Sequence, residues 1–209
     1  NVVVFWDPSE TYSNEVIVMN NAYEQLVRYD PLQDKYMPVL STDWKASEDG
    51  LTYDFNLRKG VKFHCGDDFD ANSVKYSIER NLNGWDGGGP RGASYIWSPL
   101  KEITVVDDHT VRFALQYPAS LLNIASAAYC AHMYCPKHTE QYGHDWFTEG
   151  HELGTGPYVI EKWDKELDQV TLAKFEDYWG GWAGKHFDKV VIKSVPEWAT
   201  ARLQLEAGD

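Results

Sequence analysis

The segment Phe63-His64-Cys65-Gly66-Asp67-Asp68-Phe69-Asp70 sets an imidazole, a thiol and three carboxylates within eight positions. Such a set could ligate a metal, arm a reactive thiol or shape a turn. Alternation argues against the metal within this segment. On a strand, Phe63 and Cys65 point to one face and His64 to the other, so His64 and Cys65 do not reach the same ion, and a structural site needs three or four convergent ligands. What remains is a strand end, a turn at Gly66 and Asp70 as N-cap of the next helix. A second group, Cys130, His132, Cys135, His138 and His144, has C-x4-C spacing and irregular histidines that match no zinc-knuckle pattern. An extended step from Cys130 to Cys135 also carries their Cα atoms far beyond the ~7 Å a disulfide spans. Neither group is assigned a metal or a cofactor.

Other chemistry is equally sparse. Gly154-Thr155-Gly156-Pro157 is followed by no Gly-Lys-Ser/Thr and lacks the spacing of a phosphate cradle, so it reads as a turn. No G-x-S-x-G, no H-E-x-x-H and no supported carboxylate pair nominates a nucleophile or a general acid, and the expectation is a protein without catalytic residues. Three cysteines, Cys65, Cys130 and Cys135, are too few for a disulfide framework. The aromatics carry more. Trp85, Tyr95 and Trp97 flank a loop with five glycines between Gly84 and Gly92, where large rings form either a ligand surface or a satellite core under the loop.

The elements that must position these residues follow from periodicity. Val2 to Trp6 is continuously apolar, as in a strand buried on both faces, and Ser13 then stands where a helix could be capped before Val16, Met19, Tyr23 and Leu26. Leu51, Tyr53, Phe55 and Leu57, then Val61, Phe63 and Cys65, then Val111, Phe113, Leu115 and Tyr117 alternate with polar residues, predicting antiparallel strands joined by turns at Glu48-Asp49-Gly50, Arg58-Lys59-Gly60 and Asp107-Asp108-His109. A helix with Ala71, Val74, Ile78 and Leu82 on one face lies between them. Tyr158–Trp163 and Val170–Lys174 predict paired strands, and Lys189–Val195 a further one. Pro196 then stands at a helix N1 position, ahead of Trp198, Ala201, Arg202 and Leu205, with Gly208 closing the helix. The expected class is α/β with mixed sheets.

Composition sets the outer bounds. The 209 residues are 43% apolar with 9 Trp and 24% charged, which is globular and large enough for a substantial core. Acidic residues outnumber basic ones 32 to 19, a formal charge of −13 with no basic stripe, so a phosphate backbone is repelled and nucleic acid is not an expected partner. No apolar run approaches the ~20 residues of a membrane-spanning helix.

The segments AYEQLVRYDP (22–31), DGLTYDFNLRKGVKFHCGDDFDANSVKYSIER (49–80), VVDDHTVRFALQYP (105–118), GTGPYVIEKW (154–163) and YWGG with FDKVVIK (178–193) together resemble the family 5 solute-binding proteins of ABC importers, in order and over nearly the whole chain. The family's turn usually reads F-H-(D/N)-G-x-x-F-(T/S)-A, so Cys65 and Asp70 stand as substitutions within a strand–turn–helix junction. The resemblance implies a periplasmic-binding-protein type II architecture. Residues 1–40 and 152–209 would form two parts of lobe I, 41–151 an inserted antiparallel domain, and the second lobe would lie downstream of this N-terminal portion. It implies a monomeric receptor, periplasmic or tethered outside the membrane by a lipid, that delivers a peptide or similar small solute to a membrane permease without covalent chemistry. Thr11, Tyr12, Ser13 and Asn14 resemble the segment that faces the ligand cleft, and Tyr95 and Trp97 the insertion's contribution. Oligosaccharide, nickel, haem or glutathione are alternative ligands within the family; a hydrolase or a carbohydrate-binding module is the rival outside it. If a complete receptor binds at ~1 μM, about −8 kcal/mol, and each lobe supplies half, one lobe alone binds near the millimolar range.

Overall fold

The computed structural model describes residues 6–208, so the strand expected over Val2–Trp6 lies outside the described residues except for Trp6, which is fully buried. The described residues open with a loop and helix α1 (Val16–Ala22). A hairpin of β1 (Val27–Asp30) and β2 (Lys35–Pro38) follows, closed by Asp30 Oδ1, which accepts the backbone N–H groups of Leu32 and Gln33. β3 (Ser41–Ala46) and β4 (Thr52–Leu57) lead to α2 (Ala71–Asn83), a short 3-10 turn (Ser94–Trp97), β5 (Leu100–Asp107) and β6 (Thr110–Leu115). Then come α3 (Leu121–Ala125), α4 (Pro136–Thr148), β7 (Tyr158–Asp164), β8 (Gln169–Lys174), β9 (Lys189–Lys193) and α5 (Trp198–Ala207).

Among the described residues there are three antiparallel sheets: β1-β2, β3-β4-β6-β5 and β7-β8-β9. In the four-stranded sheet Phe55 and Phe113 turn inward and meet edge-on at 5.4 Å, and the Trp97 ring stacks on Phe113 at 6.0 Å. Helix α2 lays Val74 and Ile78 over β5 and β6. It starts where the sequence predicts. Asp70 Oδ1 accepts the N–H of Ser73 at 2.8 Å, and the Asp70 N–H reaches back to the Ser73 hydroxyl, a reciprocal cap that satisfies two otherwise orphaned donors.

Four expectations are corrected. Ser13 does not cap α1; Glu15 occupies that place without a side-chain cap, and the helix stops at Ala22, so Leu26 is buried from an extended segment. The stop is tertiary, because Gly156 N–H takes the Ala22 carbonyl at 2.9 Å and Met133 N–H takes that of Glu24 at 2.9 Å. Val61, Phe63 and Cys65 do not form a regular strand. Only Lys62 bridges to Asp68, and the Phe63 carbonyl closes a turn with Gly66 N–H at 2.8 Å. Pro196 stands two residues ahead of α5, whose N-cap is Glu197.

The crossing at Ala22 permits no side chain opposite it. A Cβ on Gly154 would lie 2.0 Å from the Ala22 carbonyl oxygen, and one on Gly156 would lie 2.5 Å from that of Asn21. Both neighbours are backbone and give way only if α1 moves. The Gly154→Ala variant is therefore expected to lose about 2–3 kcal/mol, in the upper range of overpacking effects, with a urea midpoint shifted at unchanged slope. A loss below about 0.5 kcal/mol would show that the crossing is not tight.

Candidate functional site

The loop between Trp6 and α1 is fixed from its first residue. Asp7 is completely buried, and a buried carboxylate persists only when nearly every lone pair is met. Here Arg80 of α2 donates from both terminal nitrogens, Nη1 to Oδ1 and Nη2 to Oδ2, each at 2.7 Å. Ser9 adds its N–H and hydroxyl to Oδ1 at 2.9 and 2.7 Å, and His144 Nδ1 of α4 lies 2.8 Å from Oδ2. The Asp7 carbonyl accepts Glu10 N–H, Thr11 N–H and the Thr11 hydroxyl, which coils the loop into a turn. The His144 ring stacks parallel to Trp85 at 4.3 Å, and Trp85 Nε1 donates to Glu10 Oε1 at 2.6 Å. One buried carboxylate thus gathers the loop, α2, α4 and the glycine-rich segment.

The far side of the loop is held by backbone contacts. Ser94 Oγ donates to the Ser9 carbonyl at 2.8 Å, and Gly92 lies so close to Glu10 that a Cβ would meet its carbonyl oxygen at 2.2 Å. Cys130 adopts a left-handed φ of 52°, unusual for a residue with a side chain. That turn aims its carbonyl at two donors, Asn81 Nδ2 at 2.8 Å and Trp97 Nε1 at 2.6 Å.

These contacts sort the six residues that the resemblance nominates. Tyr12 (60% exposed) and Tyr95 (68% exposed) present their rings to solvent, and Ser13 and Asn14 are exposed beside Tyr12. Ile17, 60% exposed on α1, extends the same stretch of chain. Thr11 and Trp97 do not share this outward placement. The Thr11 hydroxyl is buried on the Asp7 carbonyl, and Trp97 is a core ring whose N–H is spent on Cys130. The aromatics around the glycine loop therefore divide: Tyr95 outward, Trp85 half out and hydrogen-bonded, Trp97 in. Beside α1 a groove of about 380 Å³ is lined by Asn20, Asn21, Gln25, Arg28, Tyr29, Ser126 and Ala128, an amide-rich wall with one cation. A larger hollow of about 740 Å³ opens beside the β5–β6 turn, between Thr42, Arg58, Asp107 and His109, and includes no residue of the loop.

The sequence reading missed Asp7 and Arg80. The available signal was weak: a buried Asp-Pro step and an arginine on a helix otherwise apolar along one stripe. Electrostatics makes the pair decisive. Burial pushes the Asp7 carboxyl up, but Arg80, His144 and Ser9 outweigh it and hold the group well below the usual carboxylate range. The hydrogen bond to Asp7 raises His144 above its ordinary 6.5, against partial desolvation. At His64, burial lowers the imidazole, while the Glu152 carboxylate at 2.6 Å more than reverses it.

With this geometry in hand, comparison with known proteins is specific. The family model described as bacterial extracellular solute-binding proteins, family 5 Middle, matches residues 35–209. The glutathione-binding protein GsiB of Salmonella paratyphi A is 34% identical over 208 residues, covering 98% of this chain and 38% of that protein. The periplasmic binding protein DppA of Helicobacter pylori, solved with the peptide STSA, superimposes with a TM-score of 0.83 at 29% identity, covering 98% of this chain and 43% of that one. A dipeptide-binding protein of Pseudoalteromonas sp. SM9913, solved with Met-Leu, gives 0.84 at 25% identity, with coverage of 99% and 44%. This chain thus spans 38% of the curated relative's length, and its mixed α/β fold is that of part of a type II periplasmic-binding protein.

Breaking the buried pair leaves one charge stranded. Arg80→Met is expected to destabilise the chain by about 3–5 kcal/mol, and Arg80→Lys by less, since the charge survives while the two-pronged fork is lost. Urea unfolding of both variants checks the order. The histidines set a pH dependence. Both folded pKa values are raised, so their contribution is full below about pH 6.5 and is lost as pH rises through the raised values. Stability should fall as pH rises above about 6.5, and His144→Gln and His64→Gln should each flatten that slope.

Proposed function

We propose, from the premise that this chain belongs to the bacterial extracellular solute-binding proteins of family 5, that it is part of an extracytoplasmic receptor which captures a peptide or peptide-like small solute for an ABC permease. The observation that carries the reading is the exposed stretch Tyr12–Asn14, pinned from beneath by Asp7, in a chain whose relatives include a glutathione-binding protein and structures solved with STSA and Met-Leu. A small peptide is recognised by groups that hold its backbone while its side chains go into roomy spaces. Tyr12, Ser13, Asn14 and Tyr95 offer what that task needs, hydroxyls and an amide next to apolar ring faces. Thr11 and Trp97 support them from inside and are assigned no ligand contact. Capture in this reading involves no bond making or breaking. The receptor works on the outer side of the cytoplasmic membrane, as a monomer, and residues 1–40 with 152–209 act as one lobe carrying 41–151 as an insertion.

The test is an NMR titration of the chain with Met-Leu and with glutathione, carried into the millimolar range, where binding is worth about −4 kcal/mol. Amide shifts are expected at residues 12–17 and at Tyr95. Combined Tyr12→Ala and Tyr95→Ala substitution should weaken binding at least tenfold, about 1.4 kcal/mol. Shifts elsewhere, or shifts indifferent to the double substitution, would reject these residues as the peptide surface, and no response to either probe would reject the peptide reading.

A further inference from the structure

Two segments about 70 residues apart meet at a single point. The turn after Phe63 presents Cys65 and Asp67, and the first turn of α4 presents Cys135, its N-cap, and His138, three residues on. One donor atom from each, two sulfurs, an imidazole nitrogen and a carboxylate oxygen, all lie within 4.8 Å of one another. Cys135 Sγ is 3.4 Å from Asp67 Oδ2 and 3.4 Å from His138 Nδ1, and His138 Nδ1 is 3.1 Å from Asp67 Oδ2. A tetrahedron around zinc, with bonds of about 2.3 Å to sulfur and about 2.0 Å to nitrogen or oxygen, has edges near ~3.5 Å from sulfur to either and ~3.3 Å from nitrogen to oxygen. The three distances fall within about 0.2 Å of those edges.

We propose that Cys65, Asp67, Cys135 and His138 bind one zinc ion, at a site separate from the ligand-facing loop. The donor set selects the ion: two thiolates and an imidazole favour zinc over magnesium or calcium, which take oxygen ligands. Charge is nearly balanced, since two thiolates and one carboxylate against a divalent ion leave a single negative charge, and Lys137 Nζ stands 3.7 Å from the outer oxygen of Asp67. Part of the site meets solvent. Cys135 is buried, whereas the His138 and Asp67 side chains are 20% and 34% exposed.

Both supporting segments are tied down by contacts of their own. Asp67 carbonyl accepts Phe63 N–H at 2.9 Å, and Phe63 and Phe69 anchor the turn in the core edge-on at 6.0 Å. Cys135 N–H is tied to the Leu153 carbonyl, and the Cys135 carbonyl accepts both Thr139 N–H and its hydroxyl. Such fixed backbones hold donors near productive geometry. His64 takes no part; its ring is held by Glu152 and the Gly156 carbonyl. The ligands come one pair from each cysteine–histidine segment, which reading either segment alone does not reveal.

Cobalt(II) tests the site through its spectrum. The reduced, chelator-stripped chain, titrated anaerobically, is expected to take up one equivalent with the intense visible bands of a tetrahedral centre and a thiolate-to-cobalt charge-transfer band, both bleached by one equivalent of zinc. Cys65→Ser should weaken the charge-transfer band, and His138→Ala, a partly exposed position where the fold is checked by circular dichroism, should lower affinity at least about tenfold. Absence of the charge-transfer band in the parent chain overturns the proposal. So does a band whose intensity is unchanged by Cys65→Ser together with an affinity unchanged by His138→Ala, or a Cys65–Cys135 disulfide that forms in the presence of excess zinc.

Discussion

A buried ion pair is expensive, because each charge leaves water at a cost of several kcal/mol that mutual attraction alone does not return. Asp7 and Arg80 persist because the pair is never only a pair. Two guanidinium nitrogens, a serine hydroxyl, a backbone N–H and an imidazole converge on the two oxygens of one carboxylate. Arg80 in turn lies over the Tyr134 and Phe147 rings, which exclude water from its open face. The consequence is positional. The first loop can be solvent-exposed at Tyr12 and Asn14 and still have one conformation, since its order comes from beneath.

A second buried carboxylate organises the opposite side. Glu24 accepts the Thr155 hydroxyl at 2.9 Å, the Tyr178 hydroxyl at 2.9 Å and Trp179 Nε1 at 2.7 Å. Burial raises its pKa, and the three donors counter part of that rise. Arg58 lies 4.2 Å above the Trp179 ring, so the segment after β8 is clamped from both directions. The glycine crossing at Ala22 lies between the two carboxylates in sequence and lets the chain near residue 155 reach Glu24. Removing the Cβ atoms there and charging the residue two positions on are one design seen at two atoms.

The parts of this fold that were legible in the sequence are those governed by local rules. Asp70 and Ser73 cap α2 because both partners sit within one turn, and the alternation of Tyr53, Phe55 and Leu57 matches β4 because one face of that strand is buried. The illegible parts are decided at long range. Ser13 has good capping chemistry, but the end of α1 is set by Gly156 and Met133. Val61, Phe63 and Cys65 alternate as a strand does, yet their partners are a turn of their own and the carbonyl of Gly154. Helix α4 has a start of the same local kind, Cys135-Pro136 with proline at N1. Tyr95 and Trp97 are two residues apart on one short turn, and no periodicity tells which faces the Cys130 carbonyl.

The same division bears on where the proposed binding would reside. Ordering a loop on contact with a ligand consumes free energy that then does not appear as affinity. Here that ordering is completed in folding, by the buried groups Asp7, Cys130 and Thr11 and by Arg80, whose side chain is only 8% exposed. Side chains that face outward, Tyr12 and Tyr95 above all, are left with few internal obligations. Helix α5 shows the contrary case. It has no buried residue, its Trp198, Leu203 and Leu205 are exposed, and a helix of ten residues has little stability of its own beyond an Arg202–Glu206 pair and a left-handed Gly208 cap. Exposure alone therefore does not single out the proposed binding surface. In the proposed reading, what distinguishes Tyr12 from Leu205 is the fixed support underneath it.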